Sequence, residues 1–162
     1  MKKQLVASLI LIVTPILLVS CVSSLLQEKA PTFSSEVKYT EPRAPFVRLN
    51  KSVYPSWKNK ETGNVISIVS DCSEITLEGL QQLIEGSLDK VITVAKENVT
   101  YKNKPALGQV TVGLIDSQQI QINSKSFKRK NCGYVTSLSG RIKNLDVDKT
   151  NLLQFEESLT FE

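Results

Sequence analysis

Histidine is absent from the 162 residues, and this absence removes several chemistries together. Ser-His-Asp and Cys-His nucleophile systems cannot be assembled, nor can the usual zinc-hydrolase ligand sets. Methionine and tryptophan occur once each and cysteine three times. There is no glycine-rich phosphate cradle, no EF-hand spacing, and no SxxK segment followed by SDN or KTG. Internal repeats and low-complexity tracts are missing as well. The excess of cations is small, 20 Lys and Arg against 16 Asp and Glu, and two of them are Lys2 and Lys3 at the amino terminus. Nothing in that balance points to nucleic acid, and no cofactor is expected.

What is present begins with MKKQLVASLILIVTPILLVSC. Two lysines precede an apolar stretch from Leu5 to Val19, interrupted by Ser8, Thr14 and Pro15, with small residues just before Cys21. This is the pattern of an export signal. The apolar stretch is shorter than the ~20 residues that span a bilayer comfortably. Leu18-Val19-Ser20-Cys21 resembles the bacterial lipobox, which implies cleavage before Cys21 and acylation of that residue. Two or three acyl chains, each buried methylene contributing ~0.8 kcal/mol, make a stable anchor. Val22 after the cysteine, in place of Asp, implies sorting to the outer membrane on its periplasmic side, with the inner membrane or cell surface as alternatives. Residues 1–20 are therefore read as a signal peptide, 21–44 as a Pro- and Ser-containing tether, and 45–162 as one domain.

With Cys21 assigned to lipid, Cys72 and Cys132 remain, in a compartment where disulfides persist. A disulfide between them is the leading reading. A buried pair of free thiols and a metal site are the competitors, the latter half built with two thiolates and no histidine.

The domain opens at PFVRLN, followed by a hairpin in which Thr62-Gly63-Asn64 turns into the strand Val65 to Val69, with Trp57 opposite. A helix is then expected from Thr76. Its hydroxyl caps, Ile75 and Leu80 form a staple, Glu78 sits in the first turn, and Leu77, Leu80, Ile84, Leu88 and Val91 share a face. Gly79 and Gly86 on that helix suggest close approach of a neighbour. From Glu97 the pattern becomes ENVTY, LGQVTVGLID, QQIQIN to about Phe127, and NCGYVTSLSG. These read as four strands turning at Lys102 to Pro105, at Asp116-Ser117 and around Lys128 to Asn131. A last helix is expected with Asp148 as N-cap, Val147 and Leu152 as staple, and Leu152, Phe155 and Leu159 buried.

This makes an α+β domain, a mainly antiparallel sheet flanked by two helices. The stretches WKNKETGNVISIVSDC, ALGQVTVGLIDSQQIQI, NCGYVTSLSG and FEESLTF resemble small exported bacterial lipoproteins with a PsbP-like α/β/α sandwich. The resemblance implies an accessory envelope protein and assigns no catalytic residue.

Carboxylate pairs occur at Asp71/Glu74, Asp146/Asp148 and Glu156/Glu157, each at a helix entrance or on a polar helix side, where capping and solvation account for them. The one concentrated charge feature is KSFKRK, in which Lys125, Lys128, Arg129 and Lys130 surround Phe127. It reads either as a contact for anionic lipid or an acidic partner, or as a solvated loop protecting a sheet edge. The preferred function is a non-enzymatic, membrane-anchored accessory or interaction module acting through its sheet face or this loop on another envelope protein or anionic lipid. A small-ligand or lipid carrier with a cleft between helix and sheet is the alternative, and a hydrolytic enzyme the third reading.

Overall fold

Alternating apolar strands joined by two-residue turns build most of the domain. The computed structural model describes residues 33–34, 36–73 and 75–162. The expected signal peptide, Cys21 and the first part of the tether lie outside the described residues, as does Glu74. The strands are β1 (Val37–Lys38), β2 (Phe46–Arg48), β3 (Ser56–Asn59), β4 (Val65–Asp71), β5 (Asp89–Tyr101), β6 (Lys104–Ile115), β7 (Gln118–Arg129), β8 (Cys132–Gly140) and β9 (Thr160–Phe161). The helices are α1 (Leu77–Glu85), the single turn α2 (Ile142–Leu145), a 3-10 turn Asp146–Asp148, and α3 (Lys149–Ser158). Seven strands form one antiparallel sheet in the order β2-β3-β4-β8-β7-β6-β5, and β1 pairs with β9 separately.

The period-2 alternation sends neighbouring side chains to opposite faces. Ile66, Ile68, Phe127, Tyr134 and Leu138 point one way and pack with Trp57, Leu145, Phe155 and Leu159 into the main core. Val69 and Val135 point the other way and meet Leu80 of α1. Helices on both faces of an antiparallel sheet give the expected α+β sandwich. Trp57 is 1% exposed and lies inside this core. Cys72 and Cys132 are joined in a disulfide, which ties the chain leaving β4 to the start of β8.

Helix α1 begins as the sequence predicts. Thr76 has extended backbone and its hydroxyl accepts from the Gly79 amide at 3.0 Å, satisfying one of the free N–H groups of the first turn. Leu80 is fully buried, which at ~2 kcal/mol for a leucine makes it the main contact holding α1 to the sheet. It fits because Gly133 lies beneath it; a Cβ there would be 2.5 Å from Leu80 Cδ1. The close approach expected at Gly86 is absent, and Gly86 is simply the C-cap.

Three expectations are corrected. The helix stops at Glu85, and β5 starts at Asp89 rather than Glu97, so Val91 is on a strand. Leu88 and Val91 continued the three-four helical spacing by coincidence, while DKVITVAK carries the β-branched residues that favour a strand. Residues 33–44, assigned to the tether, belong to the fold from Ser34 onward. Ser34 and Val37 are buried, and the Tyr39 ring lies 5.4 Å from Trp57 and 5.7 Å from Phe155. A two-residue strand is too short to show a period. Finally, Asp148 makes no capping bond and Val147 is 68% exposed, so the expected staple does not form, although Phe155 and Leu159 are buried as predicted.

Candidate functional site

Two hairpin tips meet at one end of the sheet. The turn between β5 and β6 puts Lys102 and Asn103 at positive φ, and Lys130 takes positive φ between β7 and β8. Such turns match the right-handed twist of the strands they join. Because Ala106 pairs with Phe127, the two tips are neighbours, and Arg129 connects them by donating from Nη2 to the Tyr101 carbonyl at 2.6 Å.

The structure divides the predicted basic loop. Lys128 and Lys130 are exposed. Phe127 is fully buried and stacks with Tyr134, so it is a core residue and no surface anchor. Lys125 points inward from β7 to pair with the buried carboxylate of Glu156, with its ammonium 5.4 Å from the Tyr101 ring centre. Arg129 is held over the rings of Tyr101, Phe127 and Phe161. Sequence reasoning missed Lys102 and Lys104, which join the exposed cations from the other tip. Only the pairing of β6 with β7 brings them there.

Buried carboxylates are fully engaged. Glu156 accepts from Thr136 Oγ1 at 2.6 Å and pairs with Lys125. Asp148 accepts from Asn59 Nδ2 at 2.9 Å, Thr62 Oγ1 at 2.7 Å, Asn64 Nδ2 at 2.8 Å and Asn151 Nδ2 at 3.1 Å. Asp146, its expected partner in a carboxylate pair, is exposed and bridges to Lys149. Tyr101 donates its hydroxyl to the Glu156 carbonyl; burial, reinforced by the Glu156 carboxylate and partly offset by Arg129, pushes the phenol's pKa up. Among the described residues no cluster of three metal-ligating side chains occurs.

Two further surfaces stand out. Strand β5 is one of the two edges of the sheet, β2 being the other, and is thirteen residues long, with Val91, Ile92 and Val94 exposed by 41%, 65% and 63%. Bulges interrupt its pairing near Lys90 and Val94, and from Ala95 to Tyr101 its register with β6 is regular. On the α1 face, the nine-residue helix covers only part of the sheet. It leaves a cleft of about 360 Å³, floored by Ser67, Ser137 and Ser139 and walled by Tyr54, Leu83 and Ile122 among others. Ser67 and Ser137 share a hydrogen bond at 2.8 Å across that floor, and burial, with a smaller contribution from Asp71, raises the pKa of Tyr54.

An antiparallel sheet with the long helices α1 and α3 on opposite faces, stapled at one end of β4 and β8, is a PsbP-like α/β/α sandwich. The solution structure of the cyanobacterial PsbP protein CyanoP from Synechocystis sp. PCC 6803 superposes with a TM-score of 0.55 at 10% identity, covering 81% of this chain and 91% of that one. Two other solved structures are similar at lower scores. PA94 of Pseudomonas aeruginosa, of unknown function, gives 0.49 at 11% identity over 81% of this chain and 85% of that. LpqN of Mycobacterium tuberculosis, described as involved in cell envelope biogenesis, gives 0.42 at 11% over 80% of each. No family model matches the sequence, and no curated protein matches it. At these identities the likeness is one of fold.

Proposed function

We propose that this chain is a non-enzymatic accessory protein of the bacterial envelope, held at a membrane by acyl chains on Cys21 and binding an extended strand of a partner protein along β5. The observation that carries the reading is the edge of β5, which no strand among the described residues covers, with its exposed Val91, Ile92 and Val94. An open edge offers a row of unpaired backbone donors and acceptors; the bulges near Lys90 and Val94 blunt that row in the first half of β5 and leave it regular from Ala95 to Tyr101. An added strand would gain main-chain hydrogen bonds along the regular stretch from Ala95 to Tyr101 and apolar contact at the bulged end.

In the register centred on Thr93 the charges of β5 favour a different chain over a second copy. Two-fold pairing centred on Thr93 would set Lys90 against Lys96 and Asp89 against Glu97 of the copy, and like charges directly opposite are destabilising. A partner strand with the reverse charge order, basic-acidic at one end and acidic-basic at the other, meets the same positions with attraction. The outer membrane, periplasmic side, is the proposed location, supported by Val22 after the cysteine.

The test is capture of the intact protein from gently solubilised membranes, with hydrogen exchange read on the β5 amides of the captured complex. Protection of those amides, and loss of the partner in an Ile92→Lys/Val94→Lys variant of unchanged circular dichroism, is the expected result. Fast exchange along β5 in the complex, undiminished capture by the variant, or dimerisation of the purified chain through β5 would refute it.

A second reading rests on the serine-floored cleft beside α1. Its volume falls in the range of small-ligand sites, and apolar walls over a hydroxyl floor suit a neutral amphiphile. Mass spectrometry of the natively purified protein tests it: a stoichiometric bound lipid lost on Ser137→Leu supports a carrier, and a ligand-free protein removes it.

A further inference from the structure

The chain enters the domain at the same end of the sheet as the cations. The Ser34 amide donates to Ser70 Oγ at 2.7 Å, and the Tyr134 hydroxyl donates to Ser34 Oγ at 3.2 Å. Ser70 and Tyr134 are paired one rung inside the last pair of the β4-β8 ladder, Asp71 with Gly133. Just beyond that rung come the Cys72–Cys132 disulfide and then the tip carrying Lys130. Lys102 and Lys104 of the neighbouring tip, and Lys128 and Arg129 beside Lys130, complete the surface. None of these five cations belongs to an ion pair among the described residues. Lys102 is turned toward the carbonyls of Glu157 and Leu159. Asp71 is an acidic group at this end, and its carboxylate accepts from the Ser73 amide at 2.7 Å.

We infer that this end of the sheet is the membrane-facing surface, with Lys102, Lys104, Lys128, Arg129 and Lys130 set against the anionic headgroups of the bilayer that holds Cys21. The inference rests on the Cys21 anchor and adds an orientation to it. Fully extended, the chain from Cys21 to Phe33 spans at most ~40 Å, so the lipid cannot stray farther than that from the end carrying Ser34. Within a Debye length of an anionic surface each cation is attracted, by roughly fivefold in partition. Membrane contact at this end leaves the β5 edge, which runs away from it along the side of the sheet, open to a partner.

Flotation of the full chain tests the inference, using vesicles of phosphatidylcholine and vesicles in which a third of the lipid is phosphatidylglycerol. The acyl groups are removed in a Cys21→Ser chain, and because Lys2 and Lys3 in residues 1–20 also favour anionic vesicles, substitutions are compared within that chain. That chain should prefer the anionic vesicles, lose the preference in high salt, and lose roughly 100-fold of it in a Lys104→Gln/Lys128→Gln/Lys130→Gln variant with unchanged Trp57 fluorescence. Equal partition into both vesicles, or an anionic preference undiminished by the triple substitution, would overturn it. The mass of the wild-type chain decides the anchor separately: an unmodified Cys21 refutes the tether while the headgroup contact is still decided on the Cys21→Ser chain.

Discussion

Replacing Asp148 by Asn changes one atom and should cost the domain about a quarter of an ordinary stability. The carboxylate is 1% exposed and acts only as an acceptor, for Asn59 and Asn151 on Oδ1 and for Thr62 and Asn64 on Oδ2, with Asn59 also reaching Oδ2. An amide in its place offers one oxygen and one NH2. With the nitrogen at the Oδ1 position it faces the amide donors of Asn59 and Asn151. With the nitrogen at the Oδ2 position it faces the Asn64 donor, and only Thr62 can turn its hydroxyl to accept. Either way one or two buried donors lose their partner, at ~1–3 kcal/mol each, and the charge assistance to the remaining bonds is lost. The expected destabilisation is ~3 kcal/mol, or roughly 10 °C in Tm for a domain of this size. Urea unfolding followed by Trp57 fluorescence reads it as a lower midpoint at unchanged slope. Asp146→Asn, at an exposed position bridged to Lys149, is the control and should stay within ~0.5 kcal/mol. A loss below ~1 kcal/mol for Asp148→Asn would refute the claim that this carboxylate organises the loop from Asn59 to Asn64.

Reducing Cys72–Cys132, which closes a separation of 60 residues, should lower stability by ~4 kcal/mol on the chain-entropy model; an unfolding midpoint indifferent to reductant would contradict it. Leu80→Ala should cost ~3 kcal/mol, and Gly133→Ala should be destabilising alone but much less so on the Leu80→Ala background, because the added methyl occupies the space that Leu80 vacates. Additive effects in that double-mutant cycle would mean the contact is not what limits Gly133. The pKa of Glu78 is held below the ordinary glutamate value, first by its own backbone amide and then by Lys96. A lowered carboxylate stabilises the fold above its unfolded value, and that contribution disappears as pH falls through the folded one. A side-chain NMR titration should place Glu78 below the ordinary carboxylate midpoint and move it upward in Lys96→Met.

Signals carried by near neighbours in the chain were legible. Thr76 with Glu78 and Leu80 announced α1, and alternation in Val110, Val112 and Leu114 or Ile120 and Ile122 announced the strands, with their turns in place. What escaped depends on distant partners. The role of Asp148 is set by Asn59 and Asn64, 89 and 84 positions away, which no local pattern connects to it. Lys125 looked like its neighbours in KSFKRK, yet period 2 turns it and Phe127 to the covered face while leaving Lys128 in solvent. Lys104 gained significance only through the register of β6 on β7. The first half of β5 was hidden because its apolar spacing extended that of the helix before it.

The strand order has a kinetic consequence. Every ladder of the seven-stranded sheet joins consecutive strands except the one between β4 and β8. Strands β5 to β8 can therefore zip together through short turns, as can β2 to β4, each with the rapid closure that small loops allow. The slow event is the meeting of the two pieces, and its entropic cost is that of the long loop between them. The disulfide lies at that seam. Once formed, it leaves β4 tethered at the correct end of β8, so the oxidised chain refolds by docking two preassembled hairpin systems, whereas the reduced chain must first find that encounter by diffusion.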